Sequence, residues 1–201
     1  MALSADARTL VVGAPGVYQD DKKRGYVEVY YKDDMMGLVQ SIHGEAFGDL
    51  FGYSVDITAN GKTLAIGSPG WLPNFDRPGY VRVYHLESGI DDLGSSWMQL
   101  GQNITGEGIG DNFGASVSLS DDGKTLAVGA YLNGEHAGHV RIYRLDDDFG
   151  SWQQLGQDID GEEPCDNSGH SLSLSADGMT VAIGAPYNSA NGEYTGHVKV
   201  Y

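Results

Sequence analysis

The sequence predicts an all-β protein built from repeated four-stranded antiparallel sheets, and three observations support this prediction. One hairpin-like stretch occurs four times in the 201 residues, with copies that begin at Ser4, Thr58, Ser120 and Ser175. A short apolar run that begins with glycine follows each copy, as in "GYVRVYH" and "GHVRIYR". No window shows the apolar period of 3.6 residues that is typical of an amphipathic helix. Repeats of a few tens of residues usually indicate propellers or solenoids.

Each unit divides into four predicted strands, here called A to D. In the third unit, strand A is "SVSLS", whose alternating apolar residues indicate a half-buried strand. Asp122-Gly123 follows and favours a type I′ hairpin turn, and strand B, "TLAVGA", is the continuous apolar run of a strand covered on both faces. Strand C is "GHVRIYR", and Trp152 begins strand D. We expect the apolar residues of strands A and B to form the core: Val117, Leu119, Leu126 and Val128.

A single four-stranded meander cannot bury both of its faces, so the copies are expected to stack around an axis as the blades of a β-propeller. The chain is predicted to be one repeat domain over 1–201, with units at approximately 1–43 (partial), 44–105, 106–160 and 161–201 (partial). The first unit would lack strand A, and the last would lack strand D. These open ends favour a propeller segment covered by further repeats or other chains, and a self-closed small propeller is the alternative.

The charge of the chain limits its partners. The sequence has 28 acidic and 12 basic residues, which gives a formal net charge of −16. Such a surface repels nucleic acid and anionic membranes, because binding to phosphate groups depends on lysine and arginine. No apolar run approaches the roughly 20 residues that span a bilayer, so membrane insertion is not expected. The charge suits cationic partners or metal ions.

The motifs of the four units together resemble FG-GAP repeats. The resemblance rests on "FGASVSLSDDGKTLAVGA" from Phe113, on the "GAP" motifs that begin at Gly13 and Gly184, and on the following "GHVRIY". It covers essentially the whole chain and implies blades like those of the integrin α-chain head and of many secreted or surface proteins. An extracellular or cell-surface location is the corresponding expectation. The sequence departs from the motifs at three positions, Ser68, Tyr131 and Ser168, and the first unit has no Phe-Gly pair.

The resemblance also raises the question of calcium, because integrin-type blades often carry a Ca²⁺ loop between strands A and B. That connection is only "SDDGKT" here, and two adjacent carboxylates in a tight hairpin cannot supply six or more ligands. No cofactor is therefore predicted at the hairpins. The alternative Ca²⁺ site is the connection between strands D and A before the fourth unit, where five carboxylates lie close in sequence: Asp158, Asp160, Glu162, Glu163 and Asp166.

The predicted binding surface follows from the topology of a meander. The B–C and D–A connections should emerge on one face of the propeller, and the A–B and C–D connections on the other. The A–B hairpins barely vary, whereas the B–C loops differ in length and content, and variable loops on a rigid scaffold usually carry binding. The B–C loops also carry aromatic residues without an evident core role: Tyr18, Trp71, Phe75, Tyr131, Tyr187 and Tyr194.

The sequence favours a non-enzymatic module that recognises protein or glycan through its B–C loops. A structural subunit completed by other chains or further repeats is the alternative, and a hydrolase that uses a propeller cleft is a third interpretation. The histidines are scattered over different strand types, which does not indicate a catalytic set. Asn103 begins an N-glycosylation sequon, Asn103-Ile104-Thr105, which would be used only on a secretory route.

Overall fold

The computed structural model describes residues 1–16, 24–32, 36–70, 77–87, 96–148 and 150–201, whose strands form four antiparallel sheets. Sheet 1 contains β1 (Ala2–Leu3), β2 (Thr9–Ala14), β3 (Tyr26–Lys32) and β4 (Met36–His43). Sheet 2 contains β5 (Ser54–Ile57), β6 (Thr63–Ser68), β7 (Tyr80–Glu87), β8 (Ser96–Gln99) and β9 (Ile104–Thr105). Sheet 3 contains β10 (Ser116–Leu119), β11 (Thr125–Ala130), β12 (His139–Asp146), β13 (Ser151–Gln154) and β14 (Ile159–Asp160). Sheet 4 contains β15 (Ser171–Leu174), β16 (Val181–Ala185) and β17 (His197–Val200).

Helix is almost absent from the described chain, which confirms the all-β prediction. The helical segment found is the single turn α1 (Asn133–His136) in the B–C loop of the third unit. Gly134, Glu135 and His136 have positive φ there, so this turn is not a right-handed helix. No helix in the described ranges has the length and apolar character needed to cross a membrane.

Strands pair in the predicted order A-B-C-D within each sheet. In sheet 3, Leu119 on strand A pairs with Leu126 on strand B, and Gly129 on strand B pairs with Val140 on strand C. Strand D of sheets 2 and 3 is interrupted, so that β8 and β9 both pair with β7, and β13 and β14 both pair with β12. A glycine with positive φ lies in each interruption, Gly101 and Gly156.

The first unit corrects one prediction, because sheet 1 does have a strand A. Ala2 pairs with Val11 and Leu3 pairs with Leu10, which makes sheet 1 four-stranded. The absence of a Phe-Gly motif had suggested that the strand was missing. Pairing depends on backbone groups and an extended conformation, so two residues without that motif are sufficient. In sheet 4, the described strands are A, B and C, as expected.

The A–B hairpins also differ from the predicted type I′ turn. In a type I′ turn both central residues have positive φ, but Gly123 has φ +69° and Asp122 is not among the residues with positive φ. The Asp122 carboxylate accepts hydrogen bonds from the Ser120 hydroxyl (2.6 Å) and the Lys124 N–H (2.9 Å). Its side chain thus holds the turn in a right-handed conformation and leaves the left-handed position to the glycine alone. The predicted turn type was therefore wrong, although the position of the hairpin was right.

The core lies between successive sheets. Val27 and Val29 on β3 pack in one cluster with Ile66 of sheet 2 and with Phe51, which lies just before β5. The matched valines of β7 pack in a second cluster with residues of sheet 3, and Val140 on β12 packs in a third cluster with Ile183 of sheet 4. Leu119, Leu126 and Val128 are buried as predicted, and Val117 is partly buried against the second cluster. Face-to-face stacking of four-stranded sheets is the arrangement of propeller blades, which confirms the predicted fold class.

Candidate binding site at the loop face

The D–A connections share a motif, Gly-Glu-x-x-x-Asp, which begins at Gly44, Gly106 and Gly161. In the connection before the second unit, the Asp49 carboxylate accepts hydrogen bonds from the backbone N–H groups of Glu45 (2.9 Å) and Ala46 (2.8 Å). Before the fourth unit, the Asp166 carboxylate accepts one from the Glu163 N–H at 3.0 Å. These acids hold their own loop in shape, because each satisfies N–H groups that no strand pairs.

The B–C loops lie beside the D–A connections, as the topology predicts. The N–H groups of Gly70, Leu132 and Tyr187, each in a B–C loop, donate to the carbonyl oxygens of Asp49, Asp111 and Asp166, respectively, at 3.2 to 3.4 Å. Each pair belongs to one unit. Every unit with a preceding D–A connection therefore builds a joint surface from that connection and its own B–C loop.

An ion pair of the same kind recurs at this surface. The glutamate of each D–A motif pairs with a basic residue on strand C of the following sheet: Glu45 with Arg82, Glu107 with Arg141 and Glu162 with Lys199. Strand C of sheet 1 carries Glu28 at the matched position. Each ion pair holds a D–A connection against the sheet that follows it in the chain. Where both groups are exposed, as at Glu162 and Lys199, such a pair contributes little to stability.

The second unit has a small cleft at this face, here called the second-unit cleft. It has a volume of about 140 Å³ and is lined in part by Glu45, Asp49, Arg77 and Tyr80. The Arg77 guanidinium lies 3.7 Å from the Glu45 carboxylate and 3.5 Å from the Asp49 carboxylate. The Tyr80 hydroxyl donates to the other Asp49 oxygen at 2.9 Å. Two acids of the D–A connection thus hold a cation from the B–C loop of the same unit.

The fourth unit has a larger cleft at the matched place, here called the fourth-unit cleft, with a volume of about 690 Å³. It is lined by Glu162, Glu163, Pro164, Cys165 and Asp166 from the D–A connection and by Tyr187, Asn188, Ser189, Ala190, Glu193 and Tyr194 from the B–C loop. Tyr187 and Tyr194 are 51% and 63% exposed, and their rings meet edge to face at 6.3 Å. Two predicted tyrosines and three predicted carboxylates therefore share one cleft.

The other predicted aromatic residues are separate from this cleft. Tyr131 accepts a hydrogen bond from the Asn112 amide at 2.9 Å and packs beside His170 with ring centroids 5.1 Å apart. It is therefore anchored at the junction of the third and fourth units. Tyr18, Trp71 and Phe75 lie outside the described residues, and their part in the predicted surface stays a prediction.

The predicted acidic cluster divides into separate contacts. Asp158 receives two hydrogen bonds from the Arg141 guanidinium (2.9 and 2.7 Å), which lowers the pKa of its carboxyl group. Glu162 pairs with Lys199, and the Asp166 carboxylate also accepts a hydrogen bond from the Asn188 amide at 2.8 Å. Asp160, on β14, pairs through its backbone with His139. Within the ranges described, these five acids do not bring three ligand atoms together.

One group of potential metal ligands does form, from Glu107, His139 and Asp158, whose atoms lie within 4.8 Å of one another. Arg141 pairs with both carboxylates of this group. A metal ion there would have to displace the guanidinium, whose charge-assisted bonds to Asp158 are bidentate. The arrangement is therefore that of an ion-pair network whose histidine and arginine are buried and whose Glu107 is exposed.

We expect Ca²⁺ to have little effect on stability. Added Ca²⁺ at millimolar concentration should change the melting temperature by less than about 2 °C, because a ligand stabilises the fold only through its affinity for the native state. Differential scanning calorimetry with and without a chelator measures the shift. A larger, chelator-sensitive shift would contradict this expectation, and the double variant Asp160→Ala, Glu162→Ala would then test whether the D–A connection is responsible.

His139 is the most buried polar group of the network, at 1% exposure, and its Nε2 atom has no hydrogen-bond partner in the described structure. Burial, and secondarily the charge of Arg141, lowers the pKa of His139 below its ordinary value of 6.5. The nearby carboxylates, led by Asp158, oppose this shift. His139 occupies the repeat position of Tyr80 in the second unit, where the side chain is an uncharged ring. Burial at this position favours the neutral form of the imidazole.

This burial predicts a pH dependence of stability. As the pH falls through 6.5, His139 gains a proton in the unfolded chain before it does so in the folded one, so the free energy of unfolding should decrease. The loss approaches about 1.4 kcal/mol for each unit by which folding lowers the pKa. His139→Tyr removes the group, so urea unfolding from pH 7.5 to 5.5 should show the variant losing less stability than the wild type. Parallel pH profiles would contradict the prediction.

The sequon residue Asn103 lies in the interrupted strand D of sheet 2. Its Oδ1 atom accepts hydrogen bonds from the Arg82 guanidinium and the Gln99 amide, both at 3.0 Å, and its Nδ2 atom donates to Glu45 at 3.3 Å. A glycan would be attached at Nδ2, beside the second-unit cleft. Use of the sequon stays a prediction.

Sequence reasoning missed two functional features that a closer alignment of the units reveals. The Gly-Glu-x-x-x-Asp motif begins seven residues before each Phe-Gly position, at Phe51, Phe113 and Ser168, and the basic residue of strand C stands in "YVRV", "HVRI" and "HVKV". Neither pattern by itself indicates that the two residues pair. Their meeting depends on how one connection folds over the next sheet.

The comparisons with known proteins support the repeat and the fold. Residues 107–143 match the FG-GAP repeat family, which confirms the resemblance. A search of curated proteins gave no sequence match. Sqt1 from Chaetomium thermophilum is similar in structure, with a TM-score of 0.61, 17% identity, and coverage of 100% of this chain and 42% of Sqt1.

Two further solved structures are similar. Sqt1 from the same organism, bound to the N-terminus of the ribosomal protein L10, has a TM-score of 0.60 and 18% identity, over 100% of this chain and 44% of Sqt1. A candidate 6-phosphogluconolactonase from Bacteroides uniformis ATCC 8492 has a TM-score of 0.56 and 14% identity, over 98% of this chain and 51% of that protein. The chain thus spans about half the length of these structures. At such identities the similarity supports the fold alone.

Proposed function

We propose that this chain is a non-enzymatic binding module that recognises a protein partner through its B–C loop face. The observation that carries the proposal is the fourth-unit cleft, which joins a D–A connection and a B–C loop around two exposed tyrosines. Tyrosine supplies a large contact area with few rotatable bonds, and it is enriched among the residues that dominate protein interfaces. Its volume of about 690 Å³ is sufficient for a protruding side chain or a short segment.

Two further observations support this proposal. Sqt1, which has a similar fold, is recorded in complex with the N-terminus of a ribosomal protein, so a propeller can hold a protein segment. The FG-GAP match at residues 107–143 supports a role in binding rather than in catalysis. An extracellular or cell-surface location belongs to the same proposal and would be tested by following the native protein in fractionated cells.

A binding screen with two kinds of probe tests the proposed function. The full chain is applied to an array of peptides of diverse composition and to a glycan array. We expect peptide binding that Tyr187→Ala and Tyr194→Ala weaken at least tenfold, while Tyr31→Ala on β3 serves as the control for an exposed tyrosine elsewhere. Binding to glycans but to no peptide would indicate that the ligand is a glycan and not a protein. Equal binding by all three variants would contradict the use of this face.

A second candidate function is that of a structural subunit, and the face of sheet 4 favours it. Val198 and Val200 on β17 are 68% and 67% exposed, whereas the matched Val81 and Val83 on β7 are fully buried under sheet 3. The Ser116 hydroxyl at the junction of sheets 3 and 4 donates to the Gly169 carbonyl of the next unit at 2.7 Å. A further blade that carries a glycine at the position matched to Gly169 could make the same contact with sheet 4. Such a blade would also cover Val198 and Val200.

A further inference from the structure

A glutamine and a tryptophan link strand D of one sheet to strand D of the next. The side-chain amide of Gln40 donates to the carbonyl oxygen of Trp97 at 3.2 Å and accepts from the backbone N–H of Trp97 at 2.8 Å. Gln102 makes the same two hydrogen bonds with the backbone of Trp152, at 2.8 and 3.0 Å. One side chain thus satisfies both backbone groups of a tryptophan and fixes the place where its ring enters the junction.

The ring of Trp152 lies deep in the junction between sheets 2 and 3, at 3% exposure. Its Nε1 atom donates to the carbonyl oxygen of Leu100 at 3.0 Å. The ring also lies directly against Gly101, because a Cβ atom there would stand 2.9 Å from it. Six other members of the second core cluster, or side chains packed against it, are Val83, Leu100, Ile104, Leu119, Leu126 and Tyr143.

The junction between sheets 3 and 4 has an open pocket at the matched place, here called the junction pocket, with a volume of about 230 Å³. A Cβ atom on Gly156, which matches Gly101, would have no described atom within 4 Å. Six residues that line the pocket match the six cluster members in the same order: Ile142, Leu155, Ile159, Leu174, Val181 and Tyr201.

The walls of the junction pocket are exposed where their counterparts are covered. Leu155 is 54% exposed, whereas Leu100 is half-buried. Tyr201 is 51% exposed, whereas Tyr143 is 7% exposed. The difference follows from the strands present, because the described strands of sheet 4 are A, B and C, and tryptophan begins strand D in the two preceding sheets.

The junction pocket also keeps the polar group that would hold a tryptophan. Gln157 stands at the position of Gln102, and its side chain is exposed. An apolar cavity of about 150 Å³ is sufficient to hold benzene. The volume of the junction pocket therefore suits the larger indole ring.

We propose that the junction pocket binds a tryptophan side chain on an extended segment of another protein chain. The Gln157 amide would donate to the carbonyl oxygen of that tryptophan and accept from its backbone N–H. The carbonyl oxygen of Leu155 would accept from the indole N–H, which usually finds a partner when it is buried. The pocket contains no residue of a B–C loop, so this inference is independent of the proposed function.

The segment can continue along the sheet beyond its tryptophan. The residue two positions after Trp97 pairs with Tyr84, and the residue two positions after Trp152 pairs with Tyr143. Tyr201 is the matched tyrosine beside β17, whose far edge strand D does not cover among the described strands. Addition of a strand to an exposed sheet edge is a common mode of peptide recognition, in which side-chain pockets give specificity.

Peptides copied from strand D of the third unit test this proposal. The peptide "SWQQLGQ", from Ser151 to Gln157, carries a fluorophore, and its binding to the full chain is measured by fluorescence anisotropy. Alanine in place of its tryptophan should weaken binding at least tenfold, because the indole ring supplies most of the buried apolar surface. Phenylalanine keeps an aromatic ring without the N–H and should give an intermediate affinity.

Variants of the chain locate the site. Leu155→Lys should abolish peptide binding, whereas Leu155→Met keeps the wall apolar and should retain it. Gln157→Ala should weaken binding at least tenfold. Gln153→Ala removes an exposed glutamine of β13 outside the pocket lining and should leave binding unchanged. Circular dichroism checks that each variant is folded, which we expect because these side chains are exposed.

Three outcomes would overturn the inference. The first is that the tryptophan peptide does not bind, or binds no better than the alanine peptide. The second is that the wild type, Leu155→Lys and Gln157→Ala bind it equally, which would place the peptide elsewhere. The third is that Leu155→Lys abolishes self-association of the chain while no tryptophan peptide binds, which would indicate that a second copy covers the pocket. None of these outcomes bears on the B–C loop face, which Tyr187→Ala and Tyr194→Ala test separately.

Discussion

Gly67→Ala is expected to lower the free energy of unfolding by about 3 kcal/mol, which is at the upper end for overpacking. A Cβ atom at Gly67 on β6 would stand far inside van der Waals contact with the Gly114 carbonyl oxygen of the next sheet and with the Ser54 hydroxyl. The Gly114 oxygen belongs to backbone, which cannot rotate away. Gly67 does not have positive φ, so alanine fits its backbone conformation. The loss therefore reports the clash and the disturbed hydrogen bond from the Ser54 hydroxyl to the Gly114 carbonyl, and not backbone strain.

Gly184→Ala is the matched control, because Gly184 occupies the same position on strand B of sheet 4. The group that a Cβ atom would meet closely there is the Ser171 hydroxyl, which can rotate, and no backbone of a following sheet lies near it in the described chain. We expect a loss below about 1 kcal/mol. Urea unfolding monitored by circular dichroism gives both values. Equal losses would contradict the interpretation that strand B glycines exist to admit the next sheet.

The isolated chain is expected to self-associate through sheet 4. Val198 and Val200 expose an apolar face, and the far edge of β17 has backbone groups that strand D covers in the other sheets. Exposed edges and apolar faces of this kind favour pairing with another chain. Multi-angle light scattering should give a mass above that of one chain.

The double variant Val198→Lys, Val200→Lys should return the mass to that of a monomer. The two lysines reduce the net negative charge, so repulsion between whole chains cannot explain such a change. Val198→Leu combined with Val200→Leu keeps the face apolar and should leave the association unchanged. A monodisperse wild-type monomer would contradict the prediction and would favour a chain whose first and fourth units meet.

The strand pattern could be predicted from sequence because it depends on local properties. Alternation in "SVSLS", the apolar run of strand B and the Asp-Gly pair are each sufficient to place a strand or a turn. The rule that an Asp-Gly pair forms a type I′ turn failed at Asp122. The conformation of this turn depends on the hydrogen bonds that the Asp122 side chain makes, which the pair of residues does not indicate. Prediction from a local pattern failed again at Ala2 and Leu3, because strand A there is held by pairing with β2 and not by a motif.

The sequence by itself determined that four similar sheets must stack, since one copy of the repeat cannot bury both of its faces. It also determined that aromatic and acidic residues lie on connections of the same face. The tertiary structure decided which of them meet. Asp158 is bound to Arg141, whereas Asp166 lines a cleft with Tyr187 and Tyr194. Asp158 and Arg141 come together because β14 pairs with β12 in one sheet, and Asp166 meets the two tyrosines because two connections of one unit lie side by side. These contacts join segments that are far apart in sequence, so no local pattern of residues records them.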